Sequence, residues 1–153
     1  MSLRRWKGSI LFLLLVGAGC TPLREPPPRT PQAGDPEMEA AIQQARRQLP
    51  EFVRVLQKPT PQQAHFVIRA IFREGDKTET MWVNQVRYRP GVFSGTLDNK
   101  PYVLQNLKRG DKVEVRESDV RDWAYREGDK MIGGFTIQLM DKRMKSPRSR
   151  LIR

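Results

Sequence analysis

Cysteine is almost missing from this chain: Cys20 is the single one among 153 residues. No intrachain disulfide can form, so the fold has to be held by its apolar core. Histidine is equally scarce, with His65 alone. One imidazole without a second histidine or a thiolate makes no zinc or copper ligand set, so neither a metal nor any other cofactor is expected. The same scarcity bears on nucleophilic catalysis. Ser94, Ser118, Ser146 and Ser149 lack an elbow motif, and His65 would have to serve as base for any of them. No glycine-rich phosphate loop occurs, and Gly133-Gly134 reads as a bulge or a close backbone approach ahead of a strand. After Cys20 no apolar run reaches the length of a membrane span.

What is present begins with an ordered signal. Arg4, Arg5 and Lys7 precede an apolar run over residues 10–16, and Gly17-Ala18-Gly19 lead into Cys20. Basic, apolar and small blocks in that order are what lipoprotein processing requires. Residues 1–19 are therefore expected to be a signal peptide and Cys20 the lipidated first residue of the mature protein. Burial of acyl chains contributes about 0.8 kcal/mol per methylene, which would hold the protein on its membrane. Thr21 lacks the acidic character that retains lipoproteins at the inner membrane. The expected location is thus the cell envelope, at the outer membrane facing the periplasm where two membranes exist. Pro22, Pro26, Pro27, Pro28 and Pro31 make residues 20–34 a polyproline tether with no core-forming face.

The net charge of +11 is unevenly distributed. Residues 35–141 hold 17 basic and 16 acidic side chains, while residues 142–153 alone hold Lys142, Arg143, Lys145, Arg148, Arg150 and Arg153. Such a run reads as a disordered basic tail. Near an anionic membrane each of its charges contributes about 1 kcal/mol. It carries no aromatic or groove-entering element, so nucleic acid is not an expected partner.

Residues 35–141 read as one α+β domain, an N-terminal amphipathic helix packed on a mainly antiparallel sheet of about five strands. Asp35 can cap the helix, Pro36 suits its first position, and Met38, Ala41, Ile42, Ala45 and Leu49 recur at helical spacing. The period then becomes two. Phe66, Ile68, Ala70 and Phe72 share one face of a strand, and Trp82, Val86 and Tyr88 one face of its hairpin partner. Further strands are expected over 93–97, 112–116 and 135–140. Ser118 or Asp119 is positioned to cap a short helix ending at Tyr125.

Several motifs recur in a known order: Leu49-Pro50-Glu51-Phe52, Glu79-Thr80-Met81-Trp82-Val83, Phe93-Ser94-Gly95-Thr96-Leu97-Asp98-Asn99, Gly110-Asp111, Asp122-Trp123-Ala124-Tyr125 and Lys130-Met131-Ile132-Gly133-Gly134-Phe135-Thr136. In this order and approximate spacing the chain resembles the YegJ-like bacterial domain of unknown function over nearly all of residues 35–140. The resemblance brings no reaction, ligand or catalytic residue with it. It implies that some members are secreted or lipid-anchored, in keeping with the signal here.

The residues support three functional classes. The leading one is a binding module for a protein or cell-wall partner, with Trp82, Asp98, Asn99, Trp123 and Tyr125 as the contact surface. Partly exposed aromatics suit a sugar or peptide, although the same rings would serve a core equally well. The second is a small cell-wall hydrolase in which Asp98 and Asp122 act as general acid and base on a glycan. Turn chemistry accounts for Asp98 without catalysis, and helix capping or an ion pair with Arg121 or Arg126 accounts for Asp122. The third is an immunity-type protein that binds a toxin.

Overall fold

In the computed structural model, which describes residues 34–145, the chain enters the domain through a capped helix. The Asp35 carboxylate accepts the amides of Glu37 and Met38 at 3.1 and 3.2 Å, and Pro36 occupies the first turn of α1 (Pro36–Arg47). Glu37 and Glu39 at one end and Arg46 and Arg47 at the other complement the helix dipole. Pro50 does not end the helical region. It sits in the first turn of α2 (Leu49–Gln57), where a missing amide costs no hydrogen bond. Met38, Ala45, Leu49, Phe52 and Val55 are the buried residues of the two helices.

Six strands follow: β1 (Gln63–Glu74), β2 (Lys77–Arg89), β3 (Val92–Leu97), β4 (Lys112–Arg116), β5 (Val120–Glu127) and β6 (Lys130–Gly133). They form one antiparallel sheet in the order β4-β3-β2-β1-β5-β6, and α3 (Phe135–Lys145) closes the described chain. The fold is thus α+β with three helices and a six-stranded sheet. Its core joins Ile68, Ala70 and Phe72 of β1 to Met81 and Val83 of β2, Phe93 and Leu97 of β3, and Trp123 and Tyr125 of β5. Phe52 stacks on Trp123 with ring centroids 5.0 Å apart and also meets Phe66, Phe93 and Tyr125. Burying one such ring contributes about 1.5–3 kcal/mol, and each ring pair adds about 0.5–1.5 kcal/mol. The Trp123 indole N–H also donates to the Ala45 carbonyl at 2.8 Å, a buried link between β5 and the last turn of α1.

The structure departs from the sequence reading in four places. The expected helix from Ser118 or Asp119 to Tyr125 is a single 3-10 turn, Glu117–Asp119, followed by strand β5. In a helix Trp123 and Tyr125 would point to nearly opposite sides, whereas a strand turns both into the core. The expected strand over 135–140 is helix α3. Gly133 and Gly134, with φ of 78° and 69°, swing the chain out of β6, and the Asp122 carboxylate accepts the amides that open the helix. A Cβ on Gly133 would strike the Trp123 carbonyl oxygen and indole ring. Trp82 does not share a face with Val86 and Tyr88. The core-facing residues of β2 are Met81 and Val83 and then Val86, because a bulge at Gln85 shifts the alternation by one.

The fourth departure concerns the basic segment. Lys142, Arg143 and Lys145 belong to α3, and the Arg143 guanidinium grips Glu37 at 2.6 Å and Asp35 at 2.9 Å. The rest of that segment, the tether and Cys20 lie outside the described residues.

Candidate functional site

The two long central strands each carry a residue in the left-handed region, His65 with φ 54° on β1 and Gln85 with φ 51° on β2. Neither is glycine, so each conformation costs on the order of 1–3 kcal/mol and persists only because its surroundings fix it. Both sit at bulges. On β1, Ala64 pairs with Arg126 and Val67 with Ala124, so His65 and Phe66 together oppose Tyr125. On β2, Asn84 pairs with Thr96 and Arg87 with Ser94, so Gln85 and Val86 together oppose Gly95. Gly95 has no side chain for a reason: a Cβ there would lie 2.6 Å from both the Asn84 carbonyl oxygen and a Val83 methyl.

These bulges border an open groove of about 550 Å³ lined by His65, Phe66, Val67, Asn84, Gln85, Val86 and Asp98. A second groove of about 800 Å³ shares Gln85 and Val86 with it and extends along Gly95, Lys112 and Val113 toward β4. A small network fixes the Gln85 side chain between the two. The Thr96 hydroxyl donates to Gln85 Oε1 at 3.1 Å, and Lys112 Nζ donates to the Thr96 oxygen at 2.6 Å and to Gln85 Oε1 at 3.4 Å. Asn84 Oδ1 differs. It is buried and receives no hydrogen bond among the described residues. A buried acceptor without a donor is costly. With Phe66, Val67 and Val86 as apolar walls and His65 and Asp98 also lining it, the groove suits binding. No serine, threonine, cysteine or lysine lines it.

Of the contact surface expected from sequence, only part is assembled. The Trp82 carbonyl accepts the Asp98 amide at 2.9 Å and the Trp82 amide donates to Asn99 Oδ1 at 2.6 Å, so these three residues are neighbours. Trp82 and Asp98 are half-buried and Asn99 is exposed, and Asp98 lines the groove. Trp123 and Tyr125 are not part of that surface. They are 2% and 7% exposed and pack against Phe52 within the core.

The carboxylate pair is not a pair. Asp98 bonds to Trp82, Trp82 lies opposite Arg69, and Arg69 lies opposite Asp122, so three strand spacings, about 14 Å, separate the two acids. Glycoside hydrolysis needs them roughly 5–9.5 Å apart. Asp122 is moreover fully buried. It accepts the Trp123 amide at 2.8 Å, the Phe135 amide at 3.2 Å, the Thr136 amide at 2.8 Å and the Thr136 hydroxyl at 2.6 Å, which makes it the cap of α3. Burial pushes its carboxyl above the usual range, against the hydrogen bonds from Thr136, Trp123 and Phe135 that favour the ionised form. Capping was the right chemistry for Asp122, applied to a different helix. Its charged neighbour is Arg69 across the ladder, rather than Arg121 or Arg126. Asp98 is half-buried and meets Arg109 at 3.4 Å.

His65, Asn84 and Gln85 escaped the sequence reading as site residues. Nothing in their identities announces a left-handed strand residue. The one available signal was Gly95 in the middle of a short apolar strand, which marks a bulge or a close backbone approach. Among the described residues no three His, Cys, Asp or Glu side chains gather as metal ligands, and no helix is long and apolar enough to cross a membrane.

Comparison with known proteins agrees with the motif order. The chain is 33% identical over 100 residues to Uncharacterized protein YegJ of Escherichia coli strain K12, an alignment covering 65% of this chain and 64% of that protein. It is 34% identical over 71 residues to a Neisseria meningitidis serogroup B protein named for ankyrin repeats, covering 46% of this chain and 28% of that one. The chain thus spans less than two thirds of either relative. No solved structure matches it. A family described as an uncharacterized protein conserved in bacteria, DUF2314, matches residues 35–150, the whole of the α+β unit, and the chain belongs to that family.

Proposed function

We propose that this chain is a lipid-anchored interaction module of the bacterial cell envelope whose protein or cell-wall partner docks in the groove between β1 and β2. One observation carries the reading: two strained non-glycine residues, His65 and Gln85, flank a groove in which the buried Asn84 Oδ1 has no donor. Strain of this kind is kept at ligand clamps and switch regions, and a buried acceptor without a donor is a second local cost at the same place. Lipidation at Cys20, the tether of residues 20–34 and an outer-membrane position facing the periplasm complete the proposal and rest on the order of basic, apolar and small residues in the chain.

A photo-crosslinking residue placed at His65 in living cells tests the docking site. It should yield a discrete adduct that is absent when the crosslinker is moved to Arg47, and absent again when Asn84→Arg fills the groove. Equal adducts from both positions would overturn the assignment. Cys20→Ser should abolish incorporation of a clickable fatty acid, and label persisting on that variant would refute the anchor.

A further inference from the structure

We infer that the groove takes an extended peptide, which adds as an extra strand in a split between β1 and β2; this rests on the docking reading above. The pairing pattern carries it. The β1–β2 ladder runs from the Glu74/Lys77 hairpin end only as far as Ile68 opposite Val83, yet β1 extends back to Gln63 and β2 runs on to Arg89. Beyond that last pair the two strands part. Gln63, Ala64 and Val67 pair with β5, and Asn84, Arg87, Tyr88 and Arg89 pair with β3. A strand carries hydrogen-bonding groups on both sides, so the sides facing the split are not used against each other.

The bulges explain the opening. Each inserts one extra residue, bends its strand and sharpens its twist, and both lie just past the final β1–β2 pair, at His65-Phe66 and Gln85-Val86. Gly95 lets the β2 bulge press inward, and the Thr96–Lys112–Gln85 network holds it there. The resulting cleft has residues 65–67 of β1 on one wall and 84–86 of β2 on the other, with Asp98 beside them. An extended peptide is the ligand that matches two such walls, because its amides and carbonyls alternate from side to side at the repeat of a strand, about 3.3 Å per residue. Sugar hydroxyls have no such repeat. The five residues 63–67 set the length at about five ligand residues. Phe66, Val67 and Val86 favour apolar side chains on the peptide.

The test uses the full chain in detergent and a positional library of N-acetylated, C-amidated pentapeptides. The best pentapeptide should bind saturably and slow amide hydrogen exchange within residues 63–67 and 84–89. Methylating its interior amide nitrogens one at a time should weaken binding roughly tenfold or more at each position, since each N–H faces one wall or the other. Asn84→Arg, which fills the groove, should weaken the parent peptide, and the N-methyl scan stands independently should that variant fold poorly. Three results would overturn the inference: no pentapeptide binding, binding indifferent to N-methylation, or binding of a peptide-free cell-wall disaccharide with the same exchange footprint. If His65 crosslinks to a partner in cells while pentapeptides fail, the peptide inference falls and the docking site remains. Peptide binding without any crosslink in cells would retain the split as a peptide site and remove its proposed role in the envelope.

Discussion

Gly95→Ala tests whether the β2 bulge is fixed by packing. The new Cβ would sit 2.6 Å from the Asn84 carbonyl oxygen and 2.6 Å from a Val83 methyl, with the Val86 Cα at 3.6 Å. The first of these is main chain, in a strand held by the pairs Val83 opposite Leu97 and Asn84 opposite Thr96, so it cannot rotate away as a side chain would. Overpacking of this kind costs about 1–3 kcal/mol. An opposing effect has to be subtracted. The φ of Gly95 is not left-handed, so alanine fits its backbone and lowers the entropy of the unfolded chain, a gain of about 0.4–1 kcal/mol. The net loss is therefore about 0.5–2 kcal/mol, which for a domain of this size lowers Tm by roughly 2–15 °C. Thermal unfolding followed by circular dichroism reads it directly, and crosslinking from His65 should fall in parallel as the bulge is pushed outward. A Tm equal to or above that of the parent would mean that β2 relaxes freely around the methyl group, and the groove could not then be treated as a preformed feature.

Trp123→Ala should cost about 3–5 kcal/mol, as expected for a buried aromatic, while Trp82→Ala, at a half-buried position outside the core cluster, should cost far less; paired denaturant titrations compare them. Asp122→Ala strands two buried donors at Thr136 and the buried amide of Trp123, so a loss of about 3 kcal/mol or more is expected, with α3 the first segment to lose hydrogen-exchange protection. The hydrogen-bonded Arg143 guanidinium holds the Asp35 carboxyl at about 2, below its ordinary 3.8. A depressed carboxylate contributes stability above its unfolded pKa that is lost as pH falls through the folded value, so the parent should lose stability between about pH 4 and pH 2 and Arg143→Gln should flatten that limb of a Tm-against-pH curve. Truncation after Met140 removes Arg143 and should destabilise the domain, whereas truncation after Lys145 keeps its contacts with Asp35 and Glu37; equal melting of the two would refute the role given to that clamp.

Where the residue pattern has one period, the sequence was enough. Asp35, Pro36 and the stripe through Met38, Ala45 and Leu49 define α1, and Ile68, Ala70 and Phe72 alternate with half-buried or exposed residues along β1 as a one-sided strand should. The hairpin turn at Gly75 and the turn closed by Asp111 onto the Lys108 amide follow from local chemistry alone. Trouble came where local signals had two solutions. Ser118 and Asp119 resemble a helix cap, yet the aromatics two apart, Trp123 and Tyr125, need a strand to reach the same core. Phe135, Ile137 and Leu139 alternate like a strand, yet Gly133 and Gly134 turn the chain away from the sheet. What decides α3 is the carboxylate of Asp122, thirteen residues before the first helical amide it binds. Local periodicity cannot reveal a cap that arrives through tertiary structure.

The groove was illegible for a related reason. A bulge changes which residues face the core without changing which residue types are present, so Trp82, Val86 and Tyr88 look like one face while Met81, Val83 and Val86 are the residues packed inward. Once the shift is admitted, several separate oddities have one cause. Gly95 is small because the bulge presses on it, and the opposed bulges at His65 and Gln85 let the two central strands diverge past Ile68 and Val83. Asn84 is left with an unmet acceptor where that divergence opens. A sheet selected for stability alone would extend the β1–β2 ladder to the end of both strands and avoid two left-handed side chains. Keeping them costs on the order of 1–3 kcal/mol each, a substantial part of the ~5–15 kcal/mol that stabilises a small domain, and that cost is the physical reason to look for the domain's function in the split.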